Sequence, residues 1–267
     1  MNIQPYLKIV PAVAILALGA SAARAEAISG AAISSLPYAI SVAGRYHLTS
    51  SQTYAGLGPA ITVNVGTNDV ILDFNDCFIA NASPVPTRTC IKATLTGTGR
   101  LTVRNGQLRG FTVGIDITGK NFLVQDMTIR GSFENGIKIT NGDNGEIRNN
   151  RLVGIVTSSG SNIYINSGAN MRIIGNSLIG SAITDGAGIW LVGNSQGSII
   201  ENNQISNVNF AIYQSGPDSP NMLVKGNSIT TAYYGLYFND SSIRYKGNIV
   251  NGATVPYTGG TDAGDNN

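Results

Sequence analysis

Gly136-Ile137-Lys138-Ile139, followed by Ile147-Arg148-Asn149-Asn150-Arg151-Leu152, is the stretch from which the rest of the chain can be read. Its first half is a small residue followed by aliphatic-x-apolar. That pattern recurs as Gly114-Ile115-Asp116-Ile117, Asn162-Ile163-Tyr164-Ile165, Gly188-Ile189-Trp190-Leu191, Ala211-Ile212-Tyr213 and Gly235-Leu236-Tyr237-Phe238. From Ile115 to Ile137, Ile163, Ile189, Ile212 and Leu236 the steps are 22, 26, 26, 23 and 24 residues. The second half, apolar-x-Asn/Gly-Asn-x-apolar, recurs at Ile173-Ile174-Gly175-Asn176-Ser177-Leu178, Ile200-Glu201-Asn202-Asn203-Gln204-Ile205 and Val224-Lys225-Gly226-Asn227-Ser228-Ile229, with weaker copies around Asn105, Asp126 and Asn248. A fixed period with two anchors is the mark of a repeat architecture.

Each segment is short, alternates apolar and polar, and is broken by Asn, Gly or Ser, which reads as a strand between turns. One repeat holds about three strands and three turns, and a single coil cannot bury its own apolar face, whereas stacked coils can. Stacking sets equivalent strands side by side in parallel, about 4.8 Å apart. The expected fold is all-β: a single-stranded parallel β-helix of about 7–8 coils. Ile61-Thr62-Val63 and Val70-Ile71-Leu72-Asp73-Phe74-Asn75-Asp76 fit early coils, so the solenoid is expected over 61–250, with a cap or entry segment at 26–60 and a tail or cap at 251–267. The recurrent Asn150, Asn176, Asn203, Asn227 and Asn248 are read as a structural ladder at one turn, since Asn bonds locally to backbone and to its counterpart in the next coil.

Composition agrees. Charged residues are 12% of the chain, and there are 33 Gly, 28 Asn and 31 Ile, a mixture that disfavours helix and favours strands and turns. Lys8, an apolar run from Ile9 to about Ala20 and Ala23-Arg24-Ala25 read as a secretory signal over 1–25 with cleavage before Glu26. The run is too short to span a bilayer. The expected location is therefore periplasmic or secreted, with no membrane insertion after cleavage. Removing Lys8 and Arg24 leaves 15 basic and 15 acidic residues, a neutral balance that argues against nucleic acid as a partner. Cys77 and Cys90 either form a disulfide closing the Ala80–Thr89 loop or remain two buried thiols.

Outward positions of a stacked strand line up into columns. On the first strand the column runs Asp116, Lys138, Tyr164, Trp190, Tyr213, Tyr237. Aromatic faces with polar tips suit the apolar faces of sugars, and they equally suit one another across parallel strands; coverage by the tail is a third reading. The charged end joins Asp116 and Lys138 to Glu134 and Asp185, which lie just before their strands. A base beside a uronate gives a lyase, and a carboxylate pair gives a hydrolase. The same four residues also make an ordinary salt-bridge cluster. A second column, Arg104, Gln125, Arg148, Ile174, Glu201, Lys225 and Lys246, reads as a mildly basic solvated face. The single histidine, His47, excludes a histidine triad within the coils. No phosphate-binding glycine loop precedes a helix.

The Gly-Ile-x-Ile and Asn-Asn-x-Leu/Ile steps, together with Leu36-Pro37-Tyr38, Gly44-Arg45-Tyr46-His47-Leu48 and Leu72-Asp73-Phe74-Asn75, resemble the right-handed parallel β-helix family, the pectate-lyase-like group. The resemblance covers about 60–250. It implies right-handed coiling, in agreement with the usual hand of parallel crossovers. It is specific for fold and not for chemistry, because that group spans lyases, hydrolases, epimerases, adhesins and proteins without known activity. No cofactor is evident in the residues, and calcium enters through the resemblance alone. The expected function is a carbohydrate-binding β-helix that engages a polysaccharide, of acidic type, along Tyr164, Trp190, Tyr213 and Tyr237 and acts on it as a lyase. The alternative is a non-catalytic structural or envelope protein.

Overall fold

The computed structural model describes residues 30–83, 88–154, 157, 159–182, 186–216 and 219–267. The proposed signal at 1–25 and Asp185 lie outside them. The described residues form 26 strands and no helix. Every strand pairing is parallel and joins a strand to its equivalent in a neighbouring coil. The result is a β-solenoid of about nine turns, slightly longer than the seven or eight expected.

Each turn visits three faces. The coil at 113–130 is representative: Val113–Gly119 lies on the first face, and the strand Phe122–Arg130 bends at Asp126 to supply the second and third. Asn135–Thr140 then starts the next turn on the first face, directly beside Val113–Gly119. The register is uninterrupted. Ile61, Ile91, Ile115, Ile137, Ile163, Ile189, Ile212 and Leu236 form one inward column. Val103, Val124, Ile147, Ile173, Ile200 and Val224 form a second, and Leu108, Ile129, Leu152, Leu178, Ile205 and Ile229 a third. All are buried. Burying such a side chain contributes about 1.5–3 kcal/mol, so stacking rather than any single coil holds the molecule together.

The Asn ladder is present as expected, with a division of labour. The residue in the left-handed conformation is the one before each ladder position: Asn149 (φ 54°), Gly175 (φ 65°), Asn202 (φ 55°), Gly226 (φ 63°) and Gly247 (φ 61°). The ladder Asn that follows is buried. Asn203 Oδ1 accepts from the backbone N–H and side-chain amide of Asn176, both at 2.9 Å, and its own amide donates to Ile173 O at 2.9 Å and Asn227 Oδ1 at 3.0 Å. The same four-way pattern repeats at Asn176, Asn227 and Asn248, while at Asn150, the first of the ladder, Oδ1 accepts from Met127 N alone.

Both ends differ from the expectation. Residues 31–54 are rungs of the solenoid: Ala31–Ile33 pairs with Gly44–Leu48, Tyr38–Ile40 with Ile61–Val65, and Gln52–Tyr54 with Phe78–Asn81. At the other end Val255–Thr258 and Thr261–Asp262 add a last turn, and Asn266 Oδ1 extends the ladder by accepting from Asn248 N at 3.0 Å. The segment after 250 therefore continues the coils and does not cross the aromatic column. Of the two readings of Cys77 and Cys90, the structure has the free thiols, with Cys90 buried and Cys77 half-buried. Cys90 sits in the core of the first face, where burial pushes its thiol well above the usual range.

Candidate functional site

The first face carries the expected column in unbroken register: Asp116, Lys138, Tyr164, Trp190, Tyr213 and Tyr237. Lys92 precedes Asp116 in the same column, so the carboxylate lies between two lysines. Burial raises the Asp116 carboxyl above its ordinary value; Lys138 and Lys92 oppose the rise and Glu134 adds to it. Glu134 is exposed in the turn before Asn135–Thr140, and its carbonyl accepts from Ser161 N at 2.9 Å.

The aromatic half is a packed cluster. Tyr164 meets Trp190 edge-on at 5.5 Å, Trp190 stacks on Tyr213 at 5.6 Å, and Tyr213 meets Tyr237 edge-on at 5.4 Å. The Trp190 indole N–H donates to Ser215 Oγ at 2.9 Å. All four rings are half-buried. The sequence reading missed two further members: Phe210 stacks on Tyr213 at 4.6 Å and on Tyr234 at 4.7 Å.

These two belong to a second column on the same face: Thr89, Val113, Asn135, Ser161, Ala187, Phe210, Tyr234 and Val255. Strict alternation would turn these residues inward, since each lies two before a core Ile or Leu. The small residue between them changes the parity. A Cβ built on Gly136 would meet Leu152 Cδ2 at 2.6 Å, one on Gly188 would meet Ile205 Cγ2 at 2.5 Å and one on Gly235 would meet Val250 Cγ1 at 2.6 Å. These positions thus face the core of the third face, so two consecutive residues point inward and the residue before them points out. The recurring Gly in the motif was the signal that could have revealed this column.

The column also shapes the surface. Beyond Ala187 it holds Phe210 and Tyr234, and before it the smaller Asn135 and Ser161. In that region lies a cleft of about 400 Å³ lined by Glu134, Asn135, Lys138, Thr140, Ser159, Tyr164, Asn166 and Trp190. It spans the point where the charged part of the first column meets the aromatic part.

The second face is a run of ordinary charges. Asp73, Arg104, Gln125, Arg148, Ile174, Glu201, Lys225 and Lys246 are in register. Arg104 pairs with Asp73 at 2.7 Å, Arg148 donates to Gln125 at 2.7 Å, and Lys225 pairs with Glu201 at 3.0 Å. Among the described residues no three His, Cys, Asp or Glu side chains come together as a metal-ligand set, so the residues present do not fit the calcium site that the resemblance implies. Among the same residues no helix is long and apolar enough to cross a membrane.

No curated protein sequence matches the chain. Solved structures with a similar course include the tailspike protein of E. coli bacteriophage HK620 in complex with a pentasaccharide (15% identity, TM-score 0.46), covering 80% of this chain and 44% of that one. A periplasmic alginate epimerase is 13% identical with a TM-score of 0.39, over 78% of this chain and 60% of that one. The A-module of a mannuronan C-5 epimerase from Azotobacter vinelandii is 11% identical with a TM-score of 0.34, over 83% of this chain and 91% of that one. The chain therefore spans about half the length of the first two. The family model described as the right handed beta helix region matches residues 113–266, more than half the chain. With the three-faced parallel coils, this shows that the chain belongs to the right-handed β-helix family.

Proposed function

We propose that this is an exported protein that binds an acidic polysaccharide along the first face, from Lys92 to Tyr237, and modifies it as a lyase does at the charged end. The observation that carries the reading is the cleft in which Lys138 and Glu134 meet Tyr164 and Trp190. An aromatic wall takes the apolar face of a sugar ring, and a cationic edge takes its carboxylate. Coils rise about 4.8 Å each, so a chain running along the column meets roughly one coil per sugar unit. Export rests on the leader-like 1–25 alone.

In the step itself, Lys138 is the base that removes the proton next to the uronate carboxyl, and Lys92 pairs with that carboxyl. The electron pair left behind forms a carbon–carbon double bond and expels the oxygen of the neighbouring linkage. That oxygen takes a proton from the Asp116 carboxyl, whose burial favours the protonated form. The products are a shortened chain and an unsaturated end, with no water consumed.

A second reading applies to the far end of the face. Phe210 is sandwiched between Tyr213 and Tyr234, so those rings satisfy one another, which favours a structural role for them.

The test is to incubate the full-length protein with acidic and neutral polysaccharides, with and without calcium, and to weigh the products. Unsaturated, shortened chains are expected. Products carrying added water would move the chemistry to a hydrolase using Asp116 and Glu134. Unchanged mass on every substrate would overturn the lyase step. Binding is tested separately: Trp190→Ala is expected to weaken affinity about tenfold, equivalent to about 1.4 kcal/mol, with the β-sheet circular dichroism retained. Wild-type affinity in that variant would overturn the binding face.

A further inference from the structure

Eight buried side-chain polar atoms among the described residues have no hydrogen-bond partner, and six of them belong to Ser132, Asn135, Thr157, Ser161 and Asn162. All five flank the corner where the chain passes from the third face to the first, on two successive coils. The contrast with the rest of the molecule is sharp, since the ladder asparagines are fully paired. Buried groups without partners cost stability, and a native fold keeps few of them. Asn162 stands at the inward position of Gly136 on its coil; the other four, at Ser132, Asn135, Thr157 and Ser161, call for a reason outside the fold.

Packing does not supply it. Asn135 is 3% exposed and Ser161 0%, and they are register partners. The other members of their column are Thr89, Val113, Ala187, Phe210, Tyr234 and Val255. The coils directly on either side carry the apolar Val113 and Ala187. Asn135 and Ser161 fall on the coils that bear the cleft, and Asn135 lines it beside Glu134 and Lys138.

We propose that Asn135, with Ser161 buried beside it in the next coil, forms a hydroxyl-reading subsite at the floor of this cleft. The assignment rests on the polysaccharide reading of the face and adds the orientation of the bound ring. An Asn amide and a Ser hydroxyl each donate and accept, which matches a neutral group that does both, a sugar hydroxyl. A bare cation is opposed by Lys138, and an anionic group at the floor is opposed by Glu134. The ring therefore sits with its hydroxyl edge toward Asn135 and its carboxylate edge toward Lys92. Asn135 makes the contact. Ser161, about 4.8 Å further along, is a positioning residue that answers the same hydroxyl or the water it carries.

The experiment titrates tri- to hexamers of galacturonate, and neutral glucan oligomers of the same lengths, into the full-length protein, with Asn135→Ala, Ser161→Ala and Trp190→Ala alongside. Thermal midpoints are recorded for each variant. The expected result is about a tenfold loss of galacturonate affinity for Asn135→Ala, from an unanswered hydroxyl, and a smaller loss for Ser161→Ala. Both should melt no lower than wild type, because each removes an unpaired buried group. A structural role would show the opposite, a lowered midpoint with affinity kept, and overturns the proposal. Unchanged affinity in Asn135→Ala alongside a loss in Trp190→Ala overturns the subsite and leaves the binding face standing. Absence of binding by the wild type to every oligomer overturns both.

Discussion

Asp116 lies between Lys92 and Lys138, yet its carboxyl is raised, because burial outweighs the two lysines and Glu134 adds to the effect. A carboxyl whose value is raised by folding binds its proton more tightly in the folded state. Stability then falls as pH climbs from the ordinary value of 3.8 through the folded one, and stays lower above it. Asp116→Asn should therefore be more stable than wild type at neutral pH, with the advantage vanishing below about pH 4. Urea midpoints measured from pH 3 to 8 check this. An advantage that persists at acid pH would mean that the Asn side chain packs better, and that ionisation is not the cause. At this scale the sequence reading singled out Asp116 and Lys138 but not Lys92, which stands at the same place in Cys90-Ile91-Lys92-Ala93.

The ladder shows how an element assigns different work to identical residues. Asn202 and Asn203 are adjacent and alike in sequence. Asn202 holds φ 55° at an exposed bend, while Asn203 is buried with four hydrogen bonds to the coils on either side. Asn203→Ala leaves two donors of Asn176 and the Ile173 carbonyl unanswered in a dry interior, and should cost about 3 kcal/mol or more. Asn202→Gly keeps the left-handed bend and should change stability by less than about 1 kcal/mol. Chemical denaturation of the two variants is the check, and equal losses would contradict the division of labour. The sequence showed that Asn recurs at this turn. Its recurrence also pointed to Asn203 as the bonding member, while the left-handed bend at Asn202 was shown by the backbone.

In the whole molecule each coil touches mainly its two neighbours, so cooperativity runs along one axis. Interior rungs such as Asn135–Thr140 and Ser161–Asn166 are paired on both sides, whereas Val255–Thr258 and Thr261–Asp262 pair with one strand each. Their amides are expected to exchange with solvent fastest, with protection rising toward the central coils. Hydrogen exchange read by mass spectrometry tests this, and uniform protection from Asn135 to Asp262 would show a single all-or-none unit. The same neighbour-to-neighbour logic explains why the segments at 31–54 and 255–262 joined the ladder without its motif. A parallel edge offers N–H and C=O groups to any strand able to pair, so membership depends on the adjacent coil more than on local sequence.

The sequence alone determined the period, the three strands of each turn, the outward column from Asp116 to Tyr237 and the recurrence of Asn at one turn. These follow because a solenoid places residue n directly beside its repeat, so one-dimensional spacing becomes three-dimensional contact. Only the tertiary structure decided where the parity breaks. At Gly136 and its equivalents two consecutive residues face inward, which sets Phe210 and Tyr234 beside the outward Tyr213 and Asn135 against the cleft. It also left Cys77 and Cys90 unpaired. Both outcomes depend on how the third face packs against the first, and that packing joins residues of different faces, which the repeat period does not relate.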